Sequence, residues 1–265
     1  MFSKHRINIL LWFARRPRLY KQFIREIFSF LRRKNHPTLD RSIEAEDWCE
    51  SRGISVEDAF QELFSSYQYI EVEEKFPEVM NDSHRIVASK SFNWGGQGNV
   101  SLNYNIAEAI DASCILETGV AYGWSTLSIL LSLDSRQKGH LCSVDMPFMG
   151  VENEEDIGCV IPESLKKDRW TLLRLPDREG LPEAIKNSAP FDFCHYDSDK
   201  SYSGKKWAYP KIWKALRQGG VLISDDISDN IAFKEFSELI QVPPTIIRTF
   251  DTQVEKFVGI LIKPT

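Results

Sequence analysis

Apolar residues along this chain recur with two different periods, and the change between them divides it. Leu19, Phe23, Ile27 and Leu31 stand four apart, and Tyr20, Ile24 and Phe28 form the adjacent row, so residues 19–31 predict an amphipathic helix. Pro17 separates it from a shorter apolar segment at 7–14. His36, Pro37 and Thr38 read as a linker, and two more helices are expected near 43–51 and 56–64, the second with Ser55 as N-cap and Glu57 and Asp58 in its first turn. From about residue 105 short apolar runs alternate with helical ones. Runs at 114–118, 141–145, 170–175, 191–197 and 220–225 predict strands, with helices expected at 124–133, 180–187 and 202–217 among them. Runs at 245–250 and 256–262 break the alternation and predict an antiparallel hairpin at one sheet edge. The expected class is α/β: a doubly wound, mostly parallel sheet of seven strands, with a helical N-terminal extension.

A chain of 265 residues suits one or two domains. We expect a basic helical arm at 1–35, a helical cap at 36–90 and the sheet domain at 91–265. With 42% hydrophobic and 27% charged residues, the composition excludes a disordered chain or a coiled-coil rod. No apolar run approaches the ~20 residues of a membrane span. The first apolar stretch is a poor secretion signal, because Arg15, Arg16 and Arg18 stand where small residues should mark a cleavage site. Cys49, Cys114, Cys142, Cys159 and Cys194 are scattered, odd in number and never in a CxxC pair, so reduced thiols and a cytoplasmic location are expected.

Charge is segregated. Residues 1–34 hold ten Lys and Arg against Glu26 alone, a net +9, while the rest of the chain carries −14. An interfacial helix meeting anionic headgroups at the inner face of a membrane is one reading of the arm; a helix packed on its own domain, or on the partner of a homodimer, is the other. Nucleic acid is not an expected partner, because a surface that tracks phosphates should be basic and the body is acidic.

Candidate chemistry gathers at strand ends. Glu117 to Gly123 joins a strand to a helix, with Gly119 and Gly123 freeing the backbone for a close approach to a ligand, or only for a tight turn. The GxxxG spacing departs from the GxGxxG of dinucleotide sites, which argues against NAD. Asp145 ends the next strand, where a carboxylate can accept from ribose hydroxyls or cap a helix. Asp197, Asp225 and Asp226 end two further strands at the same rim. Their carboxylates suit Mg²⁺ or Mn²⁺, or serve only as helix caps. Lys200 lies three residues beyond Asp197 as a candidate base or a solvated lysine. His195 is the second candidate base, or a core histidine.

The run ILETGVAYGWSTL at 115–127 resembles the first motif of small-molecule O-methyltransferases of the catechol, caffeoyl-CoA and macrocin types. FDFCHYDSDKSY at 191–202 and GGVLISDD at 219–226 resemble their fourth- and fifth-strand motifs. IGCVIP at 157–162, followed by Arg169 and Trp170, resembles a bacterial subgroup of class I methyltransferases with unsettled substrates. The resemblance covers roughly residues 90–265 and implies a Rossmann-like fold using S-adenosylmethionine (SAM) to methylate a hydroxyl of a small molecule or sugar, with a divalent cation. It implies cofactor contacts from Glu117, Gly119, Ala121, Gly123, Ser125, Asp145, Asp177 and Asp197. It also implies a metal held by Asp197, Asp225 and Asp226, and Lys200 as the base beside Asp197. Asp226 stands where the catechol and caffeoyl-CoA types have Asn, and Leu175-Pro176-Asp177 replaces their usual Gly-Asp-Ser. Trp94 to Gly98 reads as a lid or a flexible link, and Asn230 and Phe233 as residues facing substrate. A metal-independent enzyme is the rival within catalysis, and a SAM-binding scaffold the rival outside it.

Overall fold

The computed structural model describes residues 4–35, 41–150, 154–251 and 254–265; the expected linker at 36–38 lies outside them. The arm folds as α1 (Lys4–Ala14) and α2 (Tyr20–Asn35), joined at Pro17 by one 3-10 turn. Pro17 supplies the break because it lacks an N–H and fixes φ. Four helices follow: α3 (Ser42–Glu50), α4 (Val56–Leu63), α5 (Val72–Lys75) and α6 (Pro77–Ala88). The Ser55 hydroxyl accepts from the Asp58 N–H, as its N-cap position requires.

The sheet domain begins with α7 (Val100–Ala109) and runs β1 (Cys114–Thr118), α8 (Trp124–Ser135), β2 (His140–Val144), α9 (Glu163–Lys166), β3 (Trp170–Leu173), α10 (Asp177–Ser188), β4 (Phe191–Tyr196), α11 (Tyr202–Ala215), β5 (Leu216–Ser224), α12 (Ala232–Ile240), β6 (Thr245–Asp251) and β7 (Val254–Ile262). Strand order is β3-β2-β1-β4-β5-β7-β6. β1 to β5 run parallel, and β7 pairs antiparallel with both β5 and β6. The order reverses between β1 and β4, which opens a crevice at the carboxyl ends of those strands.

Two apolar layers follow from the two-residue period of the strands. Ile115, Leu141, Phe193, Val221 and Ile260 face one way, onto Leu102, Ile106, Leu127 and Leu130 of α7 and α8, with Phe60 and Met80 of the N-terminal helices in the same layer. Leu116, Cys142, Cys194, Leu222 and Leu261 face the other, onto Leu181, Ala208, Ile212 and Phe236 of α10, α11 and α12. At the open edge Ile54 bridges β6, its N–H donating to Ile246 O at 3.0 Å and its carbonyl accepting from Arg248 at 2.9 Å. That partly pairs a strand edge otherwise open to another chain.

The arm helices pack on the body through a small cluster of their own. Trp12, Phe13 and Leu19 are buried together with Ile9, Phe23 and Met146, the last from the loop after β2. Arg25 of α2 grips Glu179 of α10 with two hydrogen bonds of 2.8 and 2.5 Å. The expected apolar face therefore splits. Leu19 and Phe23 are turned inward, whereas Tyr20, Ile24, Ile27, Phe28 and Leu31 stand exposed.

Candidate functional site

A cavity of about 540 Å³ opens at the carboxyl ends of β1, β2, β4 and β5. Its floor is the turn after β1. Gly119 adopts φ +83° there, and a Cβ would meet the Asp197 carbonyl oxygen at 2.2 Å, so this close crossing of two strand ends admits only glycine. The Gly119 N–H donates to Val144 O and the Asp197 N–H to Thr118 O, both at 2.9 Å, so the ends of β1, β2 and β4 are tied together. Ala121 takes φ +48° and Asp226 φ +50°, two non-glycine residues in left-handed conformations on the cavity wall, where strain of this kind often marks function.

Gly119, Ala121, Ser125, Asp145, Asp177, Asp197, Lys200, Asp225 and Asp226 all line this cavity. Glu117 and Gly123 stand behind this lining. Glu117 is fully buried and accepts hydrogen bonds from Ser125 at 2.6 Å, Thr126 at 2.7 Å and Ser143 at 2.6 Å. Trp170 Nε1 in turn donates to the Ser143 hydroxyl at 2.9 Å. The carboxylate thus braces the helix start and the neighbouring strand, and the Ser125 hydroxyl points at it. Gly123 serves packing, since a Cβ would lie 2.9 Å from Gly158 Cα. Asn230 and Phe233 are also buried behind the wall. Asn230 holds the Lys200 carbonyl at 2.9 Å, and the Phe233 ring lies against Gly259.

Asp145 presents a carboxylate already engaged on both oxygens. Oδ1 accepts from the Val120 N–H at 2.9 Å and Oδ2 from Arg174. Burial nevertheless raises its pKa. Arg174 escaped sequence reasoning, although a cation directly after β3, beside β2, was a readable signal. Asp177 accepts from the Ser198 hydroxyl at 2.5 Å, and burial, seconded by the Asp199 charge, pushes its pKa up to about 6.

Opposite lies a charged cluster. Asp197 Oδ1 is shut off from water and accepts no hydrogen bond. Burial, and then the Asp225 carboxylate, lift Asp197 well above the usual carboxylate range. Asp225 meets His195 Nε2 at 3.4 Å and the Asn99 amide at 3.4 Å. Burial lowers the His195 pKa, but Asp225 and Glu117 outweigh it and raise the ring to about 10, which favours the imidazolium. Lys200 donates to Asp226 and lies 3.7 Å from Asp197 Oδ1. Partial desolvation favours the neutral amine, but the two carboxylates override this and keep it an ammonium. Lys205 Nζ donates to the Asp226 carbonyl at 2.5 Å and Lys256 lies 3.6 Å from Asp226 Oδ1. Among the described residues no group of three or more His, Cys, Asp or Glu stands in a geometry that holds a metal ion.

Two walls come from outside the strand ends. Trp94, in the glycine-rich stretch, stacks on Phe148 at 5.0 Å and on Tyr122 at 5.2 Å, so this segment is a packed wall. Gln22 and Glu26 of α2 also face the cavity. The part played by Gln22 and Glu26 was hidden in the sequence, because nothing local ties them to strand ends about a hundred residues away, whereas Trp94 lies in the stretch that reads as a lid or a flexible link.

A family described as a methyltransferase domain matches residues 116–227. No curated protein matches the chain. Among solved structures it is similar to an O-methyltransferase from Bacillus cereus in complex with S-adenosylhomocysteine (SAH). Identity is 19%, over 81% of this chain and 100% of the other, with a TM-score of 0.52. It is also similar to the O-methyltransferase TomG from Streptomyces achromogenes, involved in tomaymycin synthesis, in complex with SAM: 19% identity over 78% and 96%, TM-score 0.54. A third is the SAH-bound methyltransferase PaMTH1 from Podospora anserina: 13% identity over 79% and 94%, TM-score 0.51. At such identities the likeness is one of fold.

Proposed function

We propose that this chain, whose sheet carries a methyltransferase domain of the class I fold, transfers the sulfonium methyl of SAM to a hydroxyl oxygen of a small molecule or sugar. The observation that carries the reading is one cavity with two unlike ends: a glycine turn beside Asp145, and a carboxylate cluster that holds Lys200 and Lys256. In this reading Gly119, Ala121 and Asp145 hold the nucleoside and amino-acid parts of SAM, and Asp177 stands where the adenine would lie. The acceptor hydroxyl sits between the sulfonium and the Asp197 side of the cluster, and holding the two reactants in line supplies most of the catalysis.

By chemical type, though not in a preformed metal geometry, the cluster's carboxylates suit a divalent cation. Asp197 keeps a buried oxygen that accepts no hydrogen bond, with the Asp225 carboxylate beside it, so Mg²⁺ or Mn²⁺ would find oxygen donors there. Asp197, Asp225 and Asp226 would hold the ion, which when bound would lower the pKa of an acceptor hydroxyl. Lys200 stays charged between Asp197 and Asp226 and stabilises negative charge developing on the acceptor oxygen. Where no cation is bound, Asp197, lifted from the carboxylate range by burial and by Asp225, takes the proton as the methyl bonds to oxygen and the carbon–sulfur bond breaks, leaving SAH. A second reading, in which no cation takes part, is favoured by the positive charges of His195, Lys200 and Lys256, which already answer the three carboxylates.

Calorimetric titration with SAH, with Mg²⁺ and then with EDTA, tests this. Micromolar binding, weakened at least about tenfold by Asp145→Asn, is expected. A heat that changes with Mg²⁺ and reverts with EDTA supports the cation, and an unchanged heat supports the second reading. No SAH binding under either condition overturns the methyltransferase mechanism.

A further inference from the structure

We infer that the outer face of α2 docks on an anionic phospholipid surface, and that the chain meets its acceptor there. Tyr20, Ile24, Ile27, Phe28 and Leu31 stand at i, i+4, i+7, i+8 and i+11, one continuous strip of helix surface. All five are exposed, Ile24 at 53% and Phe28 at 67%. Leu10 and Leu11 of α1 add exposed apolar surface nearby in the chain. The opposite face of α2 is already committed, since Leu19 and Phe23 fill the arm cluster and Gln22 and Glu26 border the cavity. The strip therefore has no occupant within the chain's described residues.

Charge selects the occupant. Arg18 and Lys21 are exposed at the start of the strip, within an arm of net +9 on a body of net −14. Two copies paired strip to strip would bring two such arms together, which like-charge repulsion opposes. An anionic bilayer attracts the arm, accepts its apolar residues at the headgroup boundary and repels the body, so it also orients the molecule. No described helix is long and apolar enough to cross a membrane, so the contact is a surface one.

Docking has a consequence for the cavity, because the helix that would lie on the bilayer supplies two residues of its wall. An acceptor carried by that surface, a hydroxyl on a lipid-linked or amphipathic molecule, would reach the site without crossing bulk solvent. This last step rests on the methyltransferase reading; the docking itself does not.

Co-sedimentation of the full chain with vesicles tests it. Binding to phosphatidylcholine–phosphatidylglycerol vesicles is expected, with little on phosphatidylcholine alone and loss at high salt. Ile24→Glu with Phe28→Glu should weaken binding at least about tenfold, as should the charge reversal Arg18→Glu with Lys21→Glu, which removes no packing. Absence of binding by the parent chain, or equal binding by both variants, overturns the proposal. So does a parent dimer in sedimentation velocity that the Ile24→Glu/Phe28→Glu chain loses, since the strip is then an interface between copies. SAH binding measured on the same samples keeps the two readings separate: its loss from the parent chain counts against the cavity's assignment alone.

Discussion

The carboxylates at the strand ends differ in the donors packed around them: Glu117 and Asp145 accept hydrogen bonds on both oxygens, whereas Asp197 keeps one buried oxygen that accepts none. Asp145, Asp197, Asp225 and Asp226 could be placed on one rim because each directly follows an apolar run, and a parallel sheet brings such ends together. Glu117 has the same kind of address but a different fate. It pairs in register with Ser143 and is followed by Ser125 and Thr126, three hydroxyls that neutral pattern reading does not rank as partners. Direction of a side chain, unlike its position in a strand, depends on which donors pack around it. Asp177 gives a test at this scale. Its folded-state pKa near 6 lies above the unfolded value of about 3.9, so ionising it opposes folding. The penalty is absent below about pH 4 and complete above about pH 6. Asp177→Asn should therefore melt on the order of 2 °C higher than the parent at pH 7.5 and no higher at pH 4. Paired thermal melts across that range check it, and a difference independent of pH would contradict the cause given. Gly119→Ala should be far more costly, on the order of 3 kcal/mol, because the added methyl meets backbone and the φ is left-handed. Denaturant titration measures the loss.

Elements were legible in proportion to how strongly they repeat. The strands and α8, α10 and α11 follow from runs of apolar residues bounded by turns, and the hairpin β6–β7 from two β-rich runs. α5, α6 and α7 had no clear advance signal: α5 has four residues, and α7 is buried on most sides, so its apolar positions show no stripe. The arm helix was legible as amphipathic, but not the division of its apolar residues between an inward and an outward strip, because period alone does not say how much of a face finds a partner. Its attachment rests on few residues. Phe13 packs against Trp12 and Phe23 with ring centroids 5.0 and 4.8 Å away. Emptying a buried phenylalanine site costs about 3–5 kcal/mol, enough to loosen an element whose described contacts with the body centre on this cluster and the Arg25–Glu179 pair. Phe13→Ala should expose the arm to trypsin at its many Lys and Arg residues while the main thermal transition moves by only a few degrees. Limited proteolysis alongside a melt would show this; equal resistance of parent and variant would mean that the arm is anchored elsewhere.

At the scale of the whole molecule, charge and cavity are coupled through that arm. The sheet supplies the strand ends, but the cavity is bounded on one side by the stacked Trp94 and on another by Gln22 and Glu26. The latter pair is held in place by the Met146 cluster and by Arg25 on Glu179. Neither apolar layer of the sheet includes an arm residue, so the fold does not depend on the arm for its core. A chain lacking residues 1–34 should therefore unfold in one cooperative transition close to that of the parent. Its cavity, open on the arm side, should release SAH about fivefold faster, since a bound molecule leaves more readily when a wall is gone. Stopped-flow displacement gives the rate and calorimetric scanning the transition. Loss of cooperative unfolding would make the arm part of the folding unit, and an unchanged release rate would mean that Gln22 and Glu26 border the cavity without confining what it holds. Either result bears on the acceptor, because an arm that confines the ligand and also carries an exposed apolar strip would link retention of ligand to whatever surface covers that strip.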